Sequence, residues 1–353
     1  MGHDLGGADP QGTHLHLGPE FGALGGQAGR GPEDHLIEVD FEGARRRIGA
    51  IAWRTPVIPA DTPAGPVALK LESLQRTGSF KVRGAANRIL KLTERERRGG
   101  VVTASSGNHG RAVAEVARRL GIAATVCVPD WADPSKLAAI RAAHATVVLC
   151  GDSYDAAEDR AVAVAGAEGM TLVHPFDHPD TIEGQGTIAL ELAEQLPDLD
   201  EVLVPLSGGG LVAGIALAAR GRGVRVVAVS ARRASVMLRS IRAGRPIRVP
   251  DEDTIASALG GGIGLDNRFT FDAVRDLVDE HVVVEEDRIR AAVARCIHNH
   301  HLVVEGGGAV GIAALWSGYE PHGHAAVIVS GGNIDPATLN AIATDPATSA
   351  PTA

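Results

Sequence analysis

The feature that most constrains the fold is a repeated alternation. Short runs that are apolar at nearly every position, VVTAS, ATVCVP, TVVLC, EVLVPL, VRVVAVS and AAVIVS, are separated by longer segments with helical spacing. A strand apolar on both faces must be covered on both faces, so these runs predict parallel sheet packed between helices. The expected fold class is therefore α/β.

The intervening segments are legible in outline. DFEGARRRIGAIAW reads as a first helix, and PVALKLES after it alternates as a strand. GSFKVRGAANRILKLTERERRGG reads as one helix, HGRAVAEVARRLG as another closed by Gly121, and DPSKLAAIRAAH as a third with Pro134 in its first turn. DAAEDRAVAVAGAEG, DTIEGQGTIALELAEQL, LVAGIALAARG, EEDRIRAAVARCIHNHH and GAVGIAALW continue the series, with TLVHP as a further strand. So many strands exceed what one open sheet ordinarily holds, and two sheets are predicted.

Composition supports this and excludes some functions. The 44 glycines and 3% aromatic residues suit many tight strand-to-helix turns. A net charge of −9 argues against nonspecific nucleic-acid binding, which neutralises phosphates with Lys and Arg. No apolar run reaches the ~18 residues of a membrane span. Cys127, Cys150 and Cys296 are far apart with no CxxC pair, so they read as small apolar residues in a reducing, cytoplasmic protein. Residues 1–35 are rich in Gly, His and acids, lack the regions of a signal peptide, and read as a disordered tail. His14 and His16 in that tail are not taken as a metal site.

Ligands of α/β folds bind at the carboxyl ends of strands, where glycine turns lead into helices. Three such places exist: SSGNHG (Ser105 to Gly110), SGGGL (Ser207 to Leu211) and SGGN (Ser330 to Asn333). SGGGL offers successive backbone N–H groups and suits a phosphate. It is neither a Walker A loop nor GxGxxG, and its glycines would also serve close helix–strand packing. SSGNHG places two hydroxyls, an amide and an imidazole in a row. A helix cap explains one of them, and a carboxylate site explains all four. One amine, Lys81, stands apart from the surface lysines. It follows Thr77, Gly78, Ser79 and the ring of Phe80 directly before a helix.

SFKVRGA, ASSGNHG, PLSGGGL and IVSGGN, in that order, resemble the fold type II pyridoxal-phosphate enzymes, and within them the threonine/serine dehydratases and serine racemases. The resemblance covers about residues 40–340. It implies the two-domain tryptophan synthase β-like fold, with a small domain over 99–175 and a large cofactor domain from 36–98 and 176–345. It implies that Lys81 forms the Schiff base with pyridoxal 5'-phosphate and that Phe80 packs by the ring. Ser207, Gly208, Gly209, Gly210 and Leu211 hold the phosphate, Asn108 bonds the phenolic oxygen, and Ser330 faces the pyridine nitrogen. Ser105, Ser106, Gly107, Asn108 and His109 form the pocket for the substrate carboxylate.

The implied reaction is β-elimination from a β-hydroxy amino acid such as L-threonine or L-serine, giving a 2-oxo acid and ammonia. Lys81 is the general base, and Ser106 is a second acid/base of the kind racemases need. A racemase or β-replacement synthase on the same scaffold is the alternative. SSGNHG favours the dehydratase side, because the sulfhydrylase branch resembles TSGNTG there. A homodimer, acting on a small amino acid and on neither nucleic acid nor membrane, is expected.

Some positions depart from the family. Relatives that bind a divalent cation resemble one another in carrying a Glu, then an Asp, after the strand equivalent to VRVVAVS. Ser230 and Val236 stand near those places here, so no metal is expected. VSARRASVMLRSIRAGRP, SALGGGIGLDNRFTF and VVEGGGAVG resemble a subgroup of dehydratase-like proteins assigned to hydroxyectoine breakdown, an alternative substrate. Glu305 is either a neighbour of the cofactor ring or a helix-start carboxylate. His298, His300 and His301 complement a helix end rather than bind metal. Arg232 and Arg233 read as solvated, and no C-terminal regulatory domain is expected in the residues after Ser330.

Overall fold

The computed structural model describes residues 37–349; the expected tail, with His14 and His16, lies outside them. Ten strands occur among the described residues: β1 (Val57–Thr62), β2 (Gly65–Leu71), β3 (Val101–Ala104), β4 (Ala124–Val128), β5 (Thr146–Leu149), β6 (Thr171–Leu172), β7 (Glu201–Pro205), β8 (Arg225–Ala231), β9 (Glu280–Val284) and β10 (Ala325–Val329). The helices are α1 (Phe41–Ile48), α2 (Lys81–Leu90), α3 (Glu94–Gly99), α4 (Asn108–Leu120), α5 (Pro134–Ala142), α6 (Tyr154–Glu168), α7 (Pro179–Gln195), α8 (Gly210–Ala219), α9 (Val236–Arg242), α10 (Thr270–Leu277), α11 (Glu286–His300), α12 (Gly306–Trp316), α13 (Pro336–Ala343) and α14 (Pro346–Ser349).

The strands form two sheets, as expected. The larger runs β1-β2-β10-β7-β8-β9 and the smaller β5-β4-β3-β6. All pairings are parallel except β1 with β2. The strand period of two feeds both faces of the larger sheet. Leu203 joins the apolar cluster with Val227, Val282, Ile312 and Leu315, while Val202 and Val204 join the cluster with Ile188, Val212 and Ile215 on the other side.

One local expectation is corrected, and the structure adds elements that had no reading. GSFKVRGAANRILKLTERERRGG is two helices, because Thr93 and Glu96 form a capping box that restarts the chain as α3. RTPVIPA contributes β1, an edge strand whose pairing tolerates Pro59. β9 and α10 went unread, since EHVVV runs straight into a helix start and α10 has only 8 residues.

One helix sits at the seam between the sheets. The apolar face of α2, with Val82, Ala85, Ala86 and Ile89, packs into the core of the smaller sheet with Val113, Val126 and Ile140. Its other side meets α7 so closely that a Cβ on Gly184 would lie 2.6 Å from the Arg83 carbonyl oxygen. Lys81 is the first residue of this helix.

Candidate active site

The first turn of α2 is pinned to the end of β10. The Phe80 amide donates to the Ser330 carbonyl at 3.0 Å, and Ser79 bridges Gly331. This pairing brings Lys81, Phe80 and Ser330 together. Lys81 Nζ donates to the Pro175 carbonyl at 2.8 Å and lies 5.2 Å from the Phe80 ring centroid. With no carboxylate to support the ammonium, burial pulls its pKa down to about 8. An ordinary lysine is almost wholly protonated at neutral pH; this one supplies a usable fraction of free amine.

SGGGL connects β7 to α8. Gly209 caps α8 at φ +89°, a left-handed conformation that glycine takes without strain, and no side chain caps the helix. The first amides of α8 thus face outward at the positive end of the helix, which fits a phosphate. A Cβ on Gly208 would lie 2.4 Å from the Phe176 ring, and one on Gly210 would lie 2.9 Å from Phe176 Cα. Close packing is thus one observed role of these glycines, and the uncapped helix start fits the other reading, an amide cradle. Leu211 turns its side chain into the core, so only its backbone faces the turn.

SSGNHG carries α4 out of β3. Ser105 Oγ accepts from the Gly107 amide at 3.2 Å, and Gly107 is the N-cap, without a side-chain cap. Ser106 is half-buried beside it, and a Cβ on Gly107 would meet nothing within 4 Å. His109 is buried, with Nε2 2.9 Å from the Val173 carbonyl. A carbonyl only accepts, so Nε2 carries the proton, and the buried Nδ1 is bare and without a partner. Burial and the nearby Lys81 push its pKa down to about 3. His109 is a neutral imidazole that shapes the pocket, and its backbone amide at the start of α4 is the group able to donate.

Asn108 and Glu305 meet across the seam. Asn108 Nδ2 donates to Glu305 Oε1 at 2.6 Å, and its Oδ1 accepts from Asn333 Nδ2 at 2.7 Å. Asn333 also donates to the Thr77 carbonyl at 2.9 Å and accepts from Arg111 at 2.7 Å. Glu305 is the N-cap residue of α12, the helix-start position expected as one of its two readings, and it stands in this network. Burial, opposed by the Asn108 and Asn333 hydrogen bonds, pushes its carboxyl up to about 7. Gly331 is a glycine for its sake, since a Cβ there would lie 2.1 Å from Glu305 Oε1. Ser330 Oγ is buried and donates weakly to the Gly307 carbonyl at 3.4 Å.

Sequence reasoning missed Asn333, Arg111 and the turn after β6. Asn333 stood in the quoted IVSGGN but was given no role. The turn supplies Val173 to His109, Pro175 to Lys81 and Phe176 to the glycines, and only the fold reveals these contacts.

The remaining polar positions lie elsewhere. Ser230 is buried in β8 and Val236 opens α9, so neither offers a carboxylate to a cation. His298 Nε2 lies 3.1 Å from the Ala343 carbonyl, and His301 ends α11 in the left-handed conformation. Arg233 donates to the Asp253 carbonyl at 2.9 Å, and Arg232 bonds Glu285.

Comparison with known proteins agrees with this geometry. Residues 49–331 match the family model described as "Pyridoxal-phosphate dependent enzyme". A putative threonine dehydratase of Sinorhizobium fredii is 43% identical over 303 residues, 84% of this chain and 91% of that protein. The L-threonine ammonia-lyase of Thermotoga maritima is 39% identical over 84% of this chain and 75% of its own length. Among solved structures, maize serine racemase superposes with a TM-score of 0.81 at 36% identity, covering 86% of this chain and 96% of that one.

Proposed function

The chain belongs to the family of pyridoxal-phosphate dependent enzymes, and from that premise we infer that Lys81 is its cofactor-bearing residue. The protein is an ammonia-lyase: from a β-hydroxy amino acid such as L-threonine or L-serine the β-hydroxyl leaves as water, the resulting imine takes a water back on hydrolysis, and the net products are a 2-oxo acid and ammonia. The observation that carries the assignment is a desolvated amine without a counterion, held on the Pro175 carbonyl at the seam between the sheets.

We assign the remaining roles to this chain's own groups. The backbone amides from Ser207 to Leu211 bind the phosphate, Asn108 the phenolic oxygen and Ser330 the ring nitrogen. Asn108 has the capacity, because one hydrogen of its NH2 group is spent on Glu305 and the other is free to turn to a ligand. Ser330 is neutral, so it does not stabilise a protonated pyridine. When bound, the cofactor supplies the electron sink that acidifies the substrate α-proton. The amides at the start of α4, with Ser105 and Ser106, hold the substrate carboxylate. Lys81 takes the α-proton as a free amine, which its lowered pKa makes available near neutrality. Ser106 is assigned as the second acid/base.

The likeness to maize serine racemase supports one further reading, racemisation beside elimination. Two coarser assignments complete the proposal. Residues 99–175 form a small domain, and 36–98 with 176–345 a large one. The enzyme is a homodimer, and the exposed large hydrophobics Trp53, Leu74 and Val303 are the side chains we assign to its contact. We place the enzyme in the cytoplasm, whose reducing conditions suit three free cysteines. No helix among the described residues is long and apolar enough to cross a membrane.

The test is a substrate panel of threonine, serine, 3-hydroxyaspartate and hydroxyectoine, with 2-oxo acid and ammonia as products and chiral analysis of recovered substrate. Borohydride reduction followed by peptide mass mapping must place the cofactor on Lys81. Modification of another lysine, or absence of turnover across the panel, overturns the assignment.

A further inference from the structure

The turn over residues 173–177 touches the site at three points, and β3 holds its start, where the Val173 amide donates to the Val102 carbonyl and Thr103 Oγ1 donates to the Val173 carbonyl, each at 2.9 Å. Its carbonyls at Val173 and Pro175 accept from His109 and Lys81, and the Phe176 ring lies against Gly208. Its near end closes on itself, where His174 Nδ1 accepts from the amides of Phe176 and Asp177 at 3.3 and 2.8 Å. Thr181 Oγ1 donates to the His174 carbonyl at 3.2 Å, and one side chain ties the far end to α10. Asp177 Oδ1 accepts from the amides of Phe269 and Thr270, each at 2.8 Å, and Oδ2 accepts from the Arg268 amide at 2.7 Å.

Those three amides lead into α10, with Thr270 its first residue. The residue at its N-cap is Phe269, which cannot cap with its side chain. Asn267 Oδ1 accepts from the Phe271 amide at 2.8 Å inside the same turn, and Asp177, 92 residues before Phe269 in the chain, takes the three amides that come ahead of it. Three charge-assisted bonds at the positive end of a helix make a stiff joint. The joint lies under the glycine turn, because a Cβ on Gly209 would lie 2.9 Å from Thr270 Cβ and 3.1 Å from Val274 Cγ2. One carboxylate thus couples the turn after β6 to the helix that supports the phosphate cradle.

We propose that Asp177 is a positioning residue: by clamping the 173–177 turn to α10 it fixes the Pro175 carbonyl that aims the Lys81 amine and the Phe176 ring that backs the glycine turn. This rests on the assignment of Lys81 as the cofactor-bearing residue. A base that must reach one α-proton loses rate steeply when its anchor drifts, whereas substrate binding at the α4 amides does not pass through the turn. Loss of the clamp therefore acts on kcat and on cofactor retention more than on KM.

The experiment compares holoenzyme of the full chain as wild type, Asp177→Ala, Asp177→Asn and Thr93→Ala. Thr93 caps α3 through bonds within its own turn and serves as a stability control. Cofactor loss is followed by dialysis, amide exchange is read at residues 268–270, and kcat and KM are measured per cofactor bound. In Asp177→Ala we expect cofactor loss about tenfold faster and kcat about tenfold lower, with KM within about twofold, as fits removal of a charged cap. Asp177→Asn, which keeps an acceptor oxygen, lies between it and wild type, and the 268–270 amides exchange faster in the same order. Thr93→Ala lowers the melting temperature and leaves retention and kcat alone. Wild-type retention and kcat in Asp177→Ala overturn the proposal, as does an equal loss in Thr93→Ala. Failure of the Lys81 assignment is read separately, by peptide mapping of the reduced wild-type holoenzyme.

Discussion

Two amines lie on opposite sides of α2, Lys70 fully buried and Lys81 half-buried, and they differ above all in company. Lys70 Nζ, fully buried, donates to Glu191 at 2.5 Å, to Gln195 at 2.8 Å and to the Thr55 carbonyl at 2.8 Å. Arg83 lies beside it, forked between Glu72 and Glu191. Lys81 has one carbonyl. Desolvation lowers the pKa of both amines, but only at Lys70 do carboxylates oppose it. The charged cluster behind α2 holds the helix in place, and the lone amine in front of it is left reactive. A buried charge with counterions is architecture; one without them is a candidate for chemistry.

Substitutions on the two sides should therefore fail differently. Lys81→Ala is expected to lower turnover by about 10⁴-fold or more, since it removes both tether and base. Its melting temperature, measured without cofactor, should not fall, because no ion pair is lost. Lys70→Met should do the reverse. It leaves Glu191 short of one cation, and breaking such a pair costs about 3 kcal/mol. Urea unfolding should show that loss while kcat per folded molecule stays within about twofold of wild type. A Lys70 variant that is stable but inactive would erase the distinction drawn here.

The same contrast explains what could be read in advance. The four motifs were legible because each packs its chemistry into a few adjacent residues, three of them at the end of an apolar strand and SFKVRGA at the start of a helix. Lys81 stood out because it follows SF and opens a helix. The Lys70 cluster was not legible: Lys70, Glu72, Arg83 and Glu191 each read as an ordinary charge, and only the packing of α2 on α7 buries them together. Asp177 was silent for the same reason, as its partners are backbone amides of a helix too short to be read. The split of α2 from α3 was visible as Thr93 and Glu96 at capping-box spacing, but the longer helical pattern masked it.

Asn333 offers a smaller effect that sharpens the comparison. It links Asn108, Thr77 and Arg111, so it orders the Lys81 side of the seam through amide bonds and one arginine where the other side pairs cations with carboxylates. Asn333→Ala should lower kcat/KM by about tenfold through misplacement of Asn108. In a double-mutant cycle with Asn108→Ala the losses should be less than additive, because both substitutions break the same link. Full additivity would mean that Asn333 acts elsewhere.

Glu305 carries the comparison to carboxylates. Glu191 has two cations; Glu305 is bonded by the Asn108 side chain and an Asn333 hydrogen bond, and burial raises its pKa from 4.5 to about 7. Below pH 4.5 the folded and unfolded states are both protonated there, and the side chain adds no pH dependence. Between 4.5 and about 7 the unfolded chain releases the proton while the folded state keeps it, so stability falls as pH rises. Above about 7 both are ionised, and the penalty is complete and constant. Glu305→Gln keeps an acceptor for Asn108 and removes the titration. Its stability relative to wild type should thus climb through that window and level off, by on the order of 2 kcal/mol. Urea unfolding at pH 4.5, 6 and 8 measures it, with the starting value set by the pKa of the free carboxyl. A difference that does not change with pH would show that the amides stabilise the charge as well as the cations do at Glu191, and the line between the two sides of α2 would then have to be drawn by geometry alone.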